Sequence, residues 1–227
     1  MTYAFKKNLL PSSKYGIKAP YAMAPQYITV HNTANDASAA NEIKYMLSNN
    51  NEVSYHIAID DKEVIQGIPY NRNAWHCGDG RGSGNMKSIG VEICYSKSGG
   101  ARYEIAEENA VQYIAKLLKE YGWGIDRVKQ HYDWSKKNCP HRIRAEGRWN
   151  SFLKRIEQTM KPTTPITQPK EEPKVNTLTS TAKDDLKSLL KDAHKQGILK
   201  VDHSEKVGSM TDGEALGLLI SVVKRTI

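Results

Sequence analysis

Pro162, Pro165, Pro169 and Pro173 recur at short intervals among Thr, Lys and Glu. Each proline fixes its own φ and removes an amide donor. Each also pushes the residue before it towards extended backbone. The stretch 160–176 can therefore be neither a helix nor an inner strand, and it holds few apolar residues. It reads as an extended, semi-rigid linker that divides the chain in two. In front lies a domain of residues 1–159, long enough to bury a sizeable core. Behind lies a tail of residues 177–227. At 39% hydrophobic and 26% charged residues over 227 positions, the chain has the composition of a globular protein.

The tail carries two helical patterns. Leu186, Leu189, Leu190 and Ala193 fall at helical spacing over 182–196, and Gly197 is a natural stop. Ala215, Leu216, Leu219, Ile220 and Val223 do the same over 212–225, opened by Thr211-Asp212. A mainly helical domain of about fifty residues is marginal alone, so its size favours a homo-oligomer formed through this domain.

The front domain alternates strand-like and helix-like runs. Residues 1–25, broken by Pro11, Gly16, Pro20 and Pro25, read as an irregular lead-in. Tyr27-Ile28-Thr29-Val30-His31 is a short, largely apolar run with β-branched residues at its centre, a buried strand. Ala39, Ile43, Met46 and Leu47 predict an amphipathic helix over 38–49. Two strand-like runs flank Asp60-Asp61-Lys62, a hairpin pattern. The glycine-rich stretch 75–85 is a loop, but not a phosphate-binding one. No Gly-Lys-Ser/Thr closes it, and a strand is predicted straight after it. In that strand Ile89, Val91 and Ile93 alternate against Glu92, which turns Glu92 away from the apolar face. A strong helix covers 106–121 and stops at Gly122. Val128 to Trp134 is extended, and Trp149, Phe152, Leu153 and Ile156 mark a closing helix over 147–159.

The net charge of +8 points to an anionic partner, whether nucleic acid, lipid or another polymer, although solubility accounts for it equally well. The tail is nearly balanced, so the excess sits in front. No basic helix with base-reading residues or nucleic-acid motif accompanies it, which argues against a nucleic-acid partner. Cys77, Cys94 and Cys139 are too few, and odd in number, for a disulfide framework, and fit a reducing cytosol. The basic start Lys6-Lys7 precedes no apolar segment, so neither a signal peptide nor membrane insertion is expected.

The chemistry concentrates in His131-Tyr132-Asp133-Trp134-Ser135-Lys136-Lys137-Asn138-Cys139-Pro140. His131 and Cys139 are good ligands for a borderline-soft metal. Catalytic zinc takes three protein ligands and keeps a fourth position open. His31, at the end of its strand, is the best third candidate. The spacing is not a compact zinc signature, and on residue type alone each of the three reads more readily as a packed side chain than as a ligand. Glu92 and Lys137 likewise read alone as solvated charges. His56 divides evenly between a group supporting a metal ligand and a packed histidine, while His141 and Cys77 read as bystanders.

Four stretches, taken together, narrow these alternatives: Thr29-Val30-His31-Asn32-Thr33, Ser54-Tyr55-His56-Ile57-Ala58-Ile59, Ile89-Gly90-Val91-Glu92-Ile93, and His131 to Cys139-Pro140. As a set they resemble the zinc-dependent N-acetylmuramoyl-L-alanine amidases, a family that includes phage endolysins and Bacillus autolysins. The resemblance covers residues 20–158. It implies an α/β fold, a mixed β-sheet flanked by helices, with zinc in a surface groove. It implies hydrolysis of the amide between the muramic acid lactyl group and L-alanine of bacterial peptidoglycan. His31, His131 and Cys139 match the family's zinc ligands, and Lys137 a catalytic lysine. Glu92 matches a glutamate of the Bacillus-type branch; other branches use a tyrosine, here Tyr55, so either residue could handle the proton. Trp75, His76 and Tyr55 are the candidates to line a sugar or peptide groove, although Trp75 and His76 read nearly as well as part of an ordinary exposed loop. A non-catalytic peptidoglycan-binding module is the alternative, but such relatives commonly lack the cysteine. The tail loosely resembles wall-binding domains of Bacillus-type amidases, which implies a wall polymer as its ligand. The expected protein is an endolysin made in the cytoplasm and released to the wall for host lysis.

Overall fold

The computed structural model describes residues 3–161 and 177–226. The chain forms two compact units, Met1–Pro162 and Thr163–Ile227. Most of the proline segment read as a linker, residues 162–176, lies outside the described residues.

The front unit is built on a six-stranded mixed sheet. Its strands are β1 (Ala4–Lys7), β2 (Tyr27–Asn32), β3 (Ile57–Ile59), β4 (Glu63–Gln66), β5 (Ser88–Ile93) and β6 (Val128–Gln130), in the order β1-β4-β3-β5-β2-β6. Only β3 and β4 pair antiparallel, as the hairpin pattern predicts. Asp60 shapes that turn, its Oδ1 accepting from the amides of Lys62 and Glu63 at 2.8 Å each. The other neighbours are parallel, so their connections cross the faces of the sheet and cover them. This is why β2 and β5 are apolar runs, buried along most of their length.

The helices of this unit are α1 (Tyr15–Lys18), α2 (Ala39–Ser48), α3 (Ser83–Lys87), α4 (Gly100–Tyr121), α5 (His131–Ser135), α6 (His141–Ala145) and α7 (Trp149–Met160). Ser38 caps α2, its hydroxyl accepting from the Asn41 amide. The α4 helix buries Ala106, Ala110, Val111, Ile114, Leu117 and Leu118 against the sheet. It ends at Gly122, whose φ of 68° is the left-handed cap that glycine adopts without cost. Helix α7 packs on α4, and Glu107, 3% exposed in its side chain, bonds Arg148 and Arg155 at 2.6 Å each between them.

The structure departs from the sequence reading in four places. The lead-in is not wholly irregular. It contributes β1 as an edge strand, all four residues of which are exposed, so no apolar alternation marks it. The glycine loop is followed not by a strand but by the short helix α3 and only then by β5. The extended segment ends early, because α5 begins at His131. In the tail, α8 (Ser180–Lys195) and α9 (Asp212–Thr226) form as predicted. They bury Leu186, Leu190, Ala193, Ala215 and Val222, yet leave Leu189, Leu216, Ile220 and Val223 exposed. Their core also takes in Leu199, Val207 and Met210 from the connecting turns.

Candidate metal centre

Strand register brings the first two chemical groups together. His31 and Glu92 are Cα partners on β2 and β5, so their side chains leave the same face of the sheet. The next connection supplies the others. Strand β6 pairs with β2 and delivers His131 as the first residue of α5. A capping box fixes that start: Gln130 and Asp133 exchange side-chain and backbone bonds, and the Gln130 amide donates to Asp133 Oδ2 at 2.8 Å. The indole of Trp134 ties the helix to β2 by donating to Thr29 Oγ1 at 2.9 Å. Beyond α5 the chain loops back, and the Tyr132 amide donates to the Cys139 carbonyl at 3.1 Å. The Arg142 amide, just past that loop, donates to Asn32 Oδ1 at the end of β2, at 3.1 Å.

The outcome is a convergence of three buried donors from distant parts of the chain. His31 Nδ1 lies 3.1 Å from His131 Nδ1 and 3.6 Å from Cys139 Sγ. Ligand atoms of the three residues all fall within 4.8 Å of one another. Burial, with His76 and His131 adding to it, lowers the His31 pKa well below its ordinary value. Burial, and then Lys137, brings His131 down to about 4. Both imidazoles are therefore neutral with lone pairs to offer. Burial and then Glu92 push the Cys139 thiol up to about 12. Two facing imidazole nitrogens can share at most one proton, and the thiol brings no positive charge. A divalent cation fits this donor set: it satisfies all three donors and favours the thiolate. Two nitrogens and one sulfur, with an open side, suit zinc-type coordination.

A second donor group lies behind the first. His31 Nε2 is 2.9 Å from His76 Nδ1, and Cys77 Sγ is 3.1 Å from that same nitrogen. His31, His76 and Cys77 thus also meet the distance condition for a metal group. This set is closed in. Cys77 is fully buried, and any Cβ added at Gly84 would strike both Cys77 and Trp134. His76 fits behind His31 because of Gly90, where a Cβ would sit 2.8–2.9 Å from the imidazole atoms of His76. The open set is His31, His131 and Cys139. The sequence offers little to reveal the role of His76 against His31; an adjacent His-Cys pair in a glycine loop is its one trace.

Two cavities, of about 670 and 580 Å³, meet at Val53, His76, His131 and Lys137. The first also reaches Cys139, Tyr55 and Glu92; the second reaches Trp75 and Arg81. Burial raises the Glu92 pKa to about 8, Glu42 adds to this and Lys137 opposes it. Its Oε2 is buried and has no hydrogen-bond partner among the described residues. Tyr55 is committed elsewhere. Its hydroxyl donates to the Glu42 carbonyl at 2.9 Å and lies 3.2 Å from Glu42 Oε2, while burial raises its pKa further. Trp75 donates its indole N–H to the Ile17 carbonyl at 3.0 Å and packs edge-on against Tyr21. His56 is a packed residue. Both its ring nitrogens are bonded to backbone, Nδ1 accepting from the Gly90 amide and Nε2 meeting the Arg72 carbonyl, each at 2.9 Å. His141 lines the first cavity beside Cys139.

Residues 21–142 match the N-acetylmuramoyl-L-alanine amidase family (Amidase_2). Among relatives, the Bacillus subtilis (strain 168) N-acetylmuramoyl-L-alanine amidase XlyB is 62% identical over 161 residues, 70% of this chain and 51% of that protein. CwlA of the same strain is 64% identical over 156 residues, 68% of this chain and 57% of that protein. The chain thus spans little more than half the length of these relatives. The solved structure of PlyL is 59% identical with a TM-score of 0.66, covering 67% of this chain and 96% of that one. The solution structure of the PlyG catalytic domain is 59% identical with a TM-score of 0.67, covering 71% and 98%.

Proposed function

This chain belongs to the N-acetylmuramoyl-L-alanine amidase family, and on that premise we propose that it hydrolyses the amide between N-acetylmuramic acid and L-alanine in bacterial peptidoglycan, as a zinc-dependent endolysin. The convergence of His31, His131 and Cys139 beside Glu92 and Lys137 carries the reading.

His31, His131 and Cys139 would hold the ion. When bound, zinc supplies Lewis-acid polarisation of an amide carbonyl and a water acidified towards neutral pH. His76 orients the first ligand: an Nε2–H on His31, donated to His76, leaves Nδ1 bare for the cation. Glu92 is the proton carrier, taking a proton from the attacking water and delivering it to the leaving amine of L-alanine. Tyr55 is the weaker candidate for that role because its hydroxyl is engaged by Glu42. It serves instead, with Trp75, as part of the groove. Lys137, exposed and lining both cavities, offsets the negative charge that develops on the carbonyl oxygen.

We further propose that residues 160–176 link this catalytic domain to a wall-binding tail. The exposed Leu216, Ile220 and Val223, one face of α9, support self-association of that tail. No helix among the described residues is long and apolar enough to cross a membrane. The proposal is that the chain is made in the cytoplasm and acts after release at the wall.

Purified peptidoglycan decides the main point. The zinc-loaded chain is expected to liberate L-alanine amino groups without new reducing sugar ends, to stop after chelation and to recover with zinc. Equal cleavage by the metal-stripped chain, or full activity in His131→Ala, would overturn it.

A further inference from the structure

Lys18 is a lysine with no exposed surface at all. Its ammonium donates to Asn49 Oδ1 at 3.0 Å, to the Asn51 carbonyl at 2.6 Å and to the Val53 carbonyl at 3.1 Å. One helical turn earlier, Lys14 donates to the carbonyls of Leu47, Ser48 and Asn49 at 2.7, 2.9 and 3.1 Å. These are last-turn and following carbonyls of α2, the kind a helix end leaves unsatisfied, and a cation there also suits the helix dipole. The lead-in thus holds the segment 47–53 by six hydrogen bonds from two ammonium groups. Neither lysine has an ion-pair partner among the described residues.

A buried ammonium facing only neutral acceptors carries a desolvation penalty, and an apolar side chain of the same length would fill the space without it. What the ammonium alone can do is gather acceptors from a segment without regular structure. Residues 49–56 form no helix or strand; backbone hydrogen bonds tie Asn49 to Tyr45, Ser54 to Trp75 and His56 to Gly90, so the backbone fixes the two ends of the segment and not residues 50–53. That segment walls the groove. Asn49 and Asn51 line the first cavity, Glu52 the second, and Val53 both. Val53, 64% exposed, stands where the cavities meet beside His76, His131 and Lys137.

We propose that Lys18, seconded by Lys14, is a positioning residue that sets the 49–53 wall against the metal centre and so governs how tightly the glycan–peptide chain is held. The proposal rests on the amidase reading of that groove. Lys18 touches neither the metal ligands nor the cavities, so its effect falls on binding that is uniform between ground and transition states. Such a loss raises KM and leaves kcat alone.

The experiment measures kcat, KM and zinc affinity of the full chain on purified peptidoglycan, for the wild type, Lys18→Met and Lys14→Met. Lys18→Met is expected to raise KM about tenfold with kcat within about twofold and zinc affinity unchanged. Lys14→Met is expected to raise KM about threefold. An unchanged KM in folded Lys18→Met overturns the proposal, as does a joint fall of kcat and zinc affinity, which would mark general damage. Should Lys18→Met fail to fold, the half-exposed Lys14 decides, and an unchanged KM there has the same consequence. A wild type that releases no amine sinks the amidase reading itself, and this proposal with it.

Discussion

Glu92 is the residue on which the chemistry is easiest to test. Its position was legible in the alternation Ile89-Val91-Ile93, which turns it off the apolar face, but its raised pKa was not, since that depends on burial and on the charges of Glu42 and Lys137 arriving from other elements. Glu92→Gln is expected to lower kcat by about 10²- to 10⁴-fold while zinc still binds, measured as amine release and metal content. Lys137→Met removes the charge opposite the oxyanion and is expected to cost about 10²-fold or more in kcat with little change in zinc affinity, read in the same two assays. The raised pKa of Glu92 adds a stability test on the metal-stripped chain. A carboxyl at about 8 when folded and 4.5 when unfolded holds its proton in the native state across that window. The native state then binds more protons than the unfolded one, so stability falls as pH rises from 4.5 to about 8. Glu92→Gln, which cannot ionise, is expected to gain on the wild type across that range and to hold a constant lead above it. Denaturant melts at a series of pH values check this, and a difference that does not change with pH would rule it out. From spacing alone, His31, His131 and Cys139 were legible only as residue types, and it was the resemblance of the four stretches that grouped them. Their meeting depends on the pairing of β6 with β2, which no local spacing encodes.

At the scale of elements, the readable parts were those whose burial leaves a plain apolar pattern. Strands β2 and β5 are near-continuous apolar runs because both faces of the sheet are covered, and helices α4 and α7 carry an apolar stripe at helical spacing. Edge strand β1 buries nothing and so leaves no pattern, and α5 is too short to show one. Strand order was likewise hidden, because parallel neighbours are joined by hydrogen bonds between residues far apart in sequence. Gly90 shows how a strand position can serve the site. A Cβ there would push His76 off His31, so Gly90→Ala is expected to weaken zinc binding about tenfold or more while the sheet stays folded. Zinc competition with a chromogenic chelator, alongside circular dichroism, separates the two effects. An unchanged zinc affinity would mean that His76 does not orient His31. The α4–α7 contact has its own anchor in Glu107, and Glu107→Ala leaves Arg148 with Glu146 alone and Arg155 with Glu108 alone. The expected loss is about 1–2 kcal/mol in equilibrium unfolding, less than for a buried pair whose surviving charge has no other partner.

For the whole molecule, the chain forms two units, and the proline-spaced stretch read as the linker between them lies almost wholly outside the described residues. The two units keep separate hydrophobic cores, a large one over the sheet and a small one formed by α8, α9 and their connecting turns. What the sequence could not show is which apolar residues of the tail are left outside. A stripe such as Leu216, Ile220 and Val223 looks the same in sequence whether it faces a core or solvent. Separate cores have a thermodynamic consequence when only one of them carries the metal. Zinc bound to the native front unit and not to its unfolded form stabilises that unit by mass action, in proportion to the logarithm of free zinc over Kd. The tail contributes none of the three donors, so its own equilibrium has no such link. Calorimetry of the full chain is therefore expected to show two transitions. The larger should move up in temperature with added zinc and down with chelator, and the smaller should stay in place. A single transition that moves as a whole would mean that the tail unfolds only with the front unit.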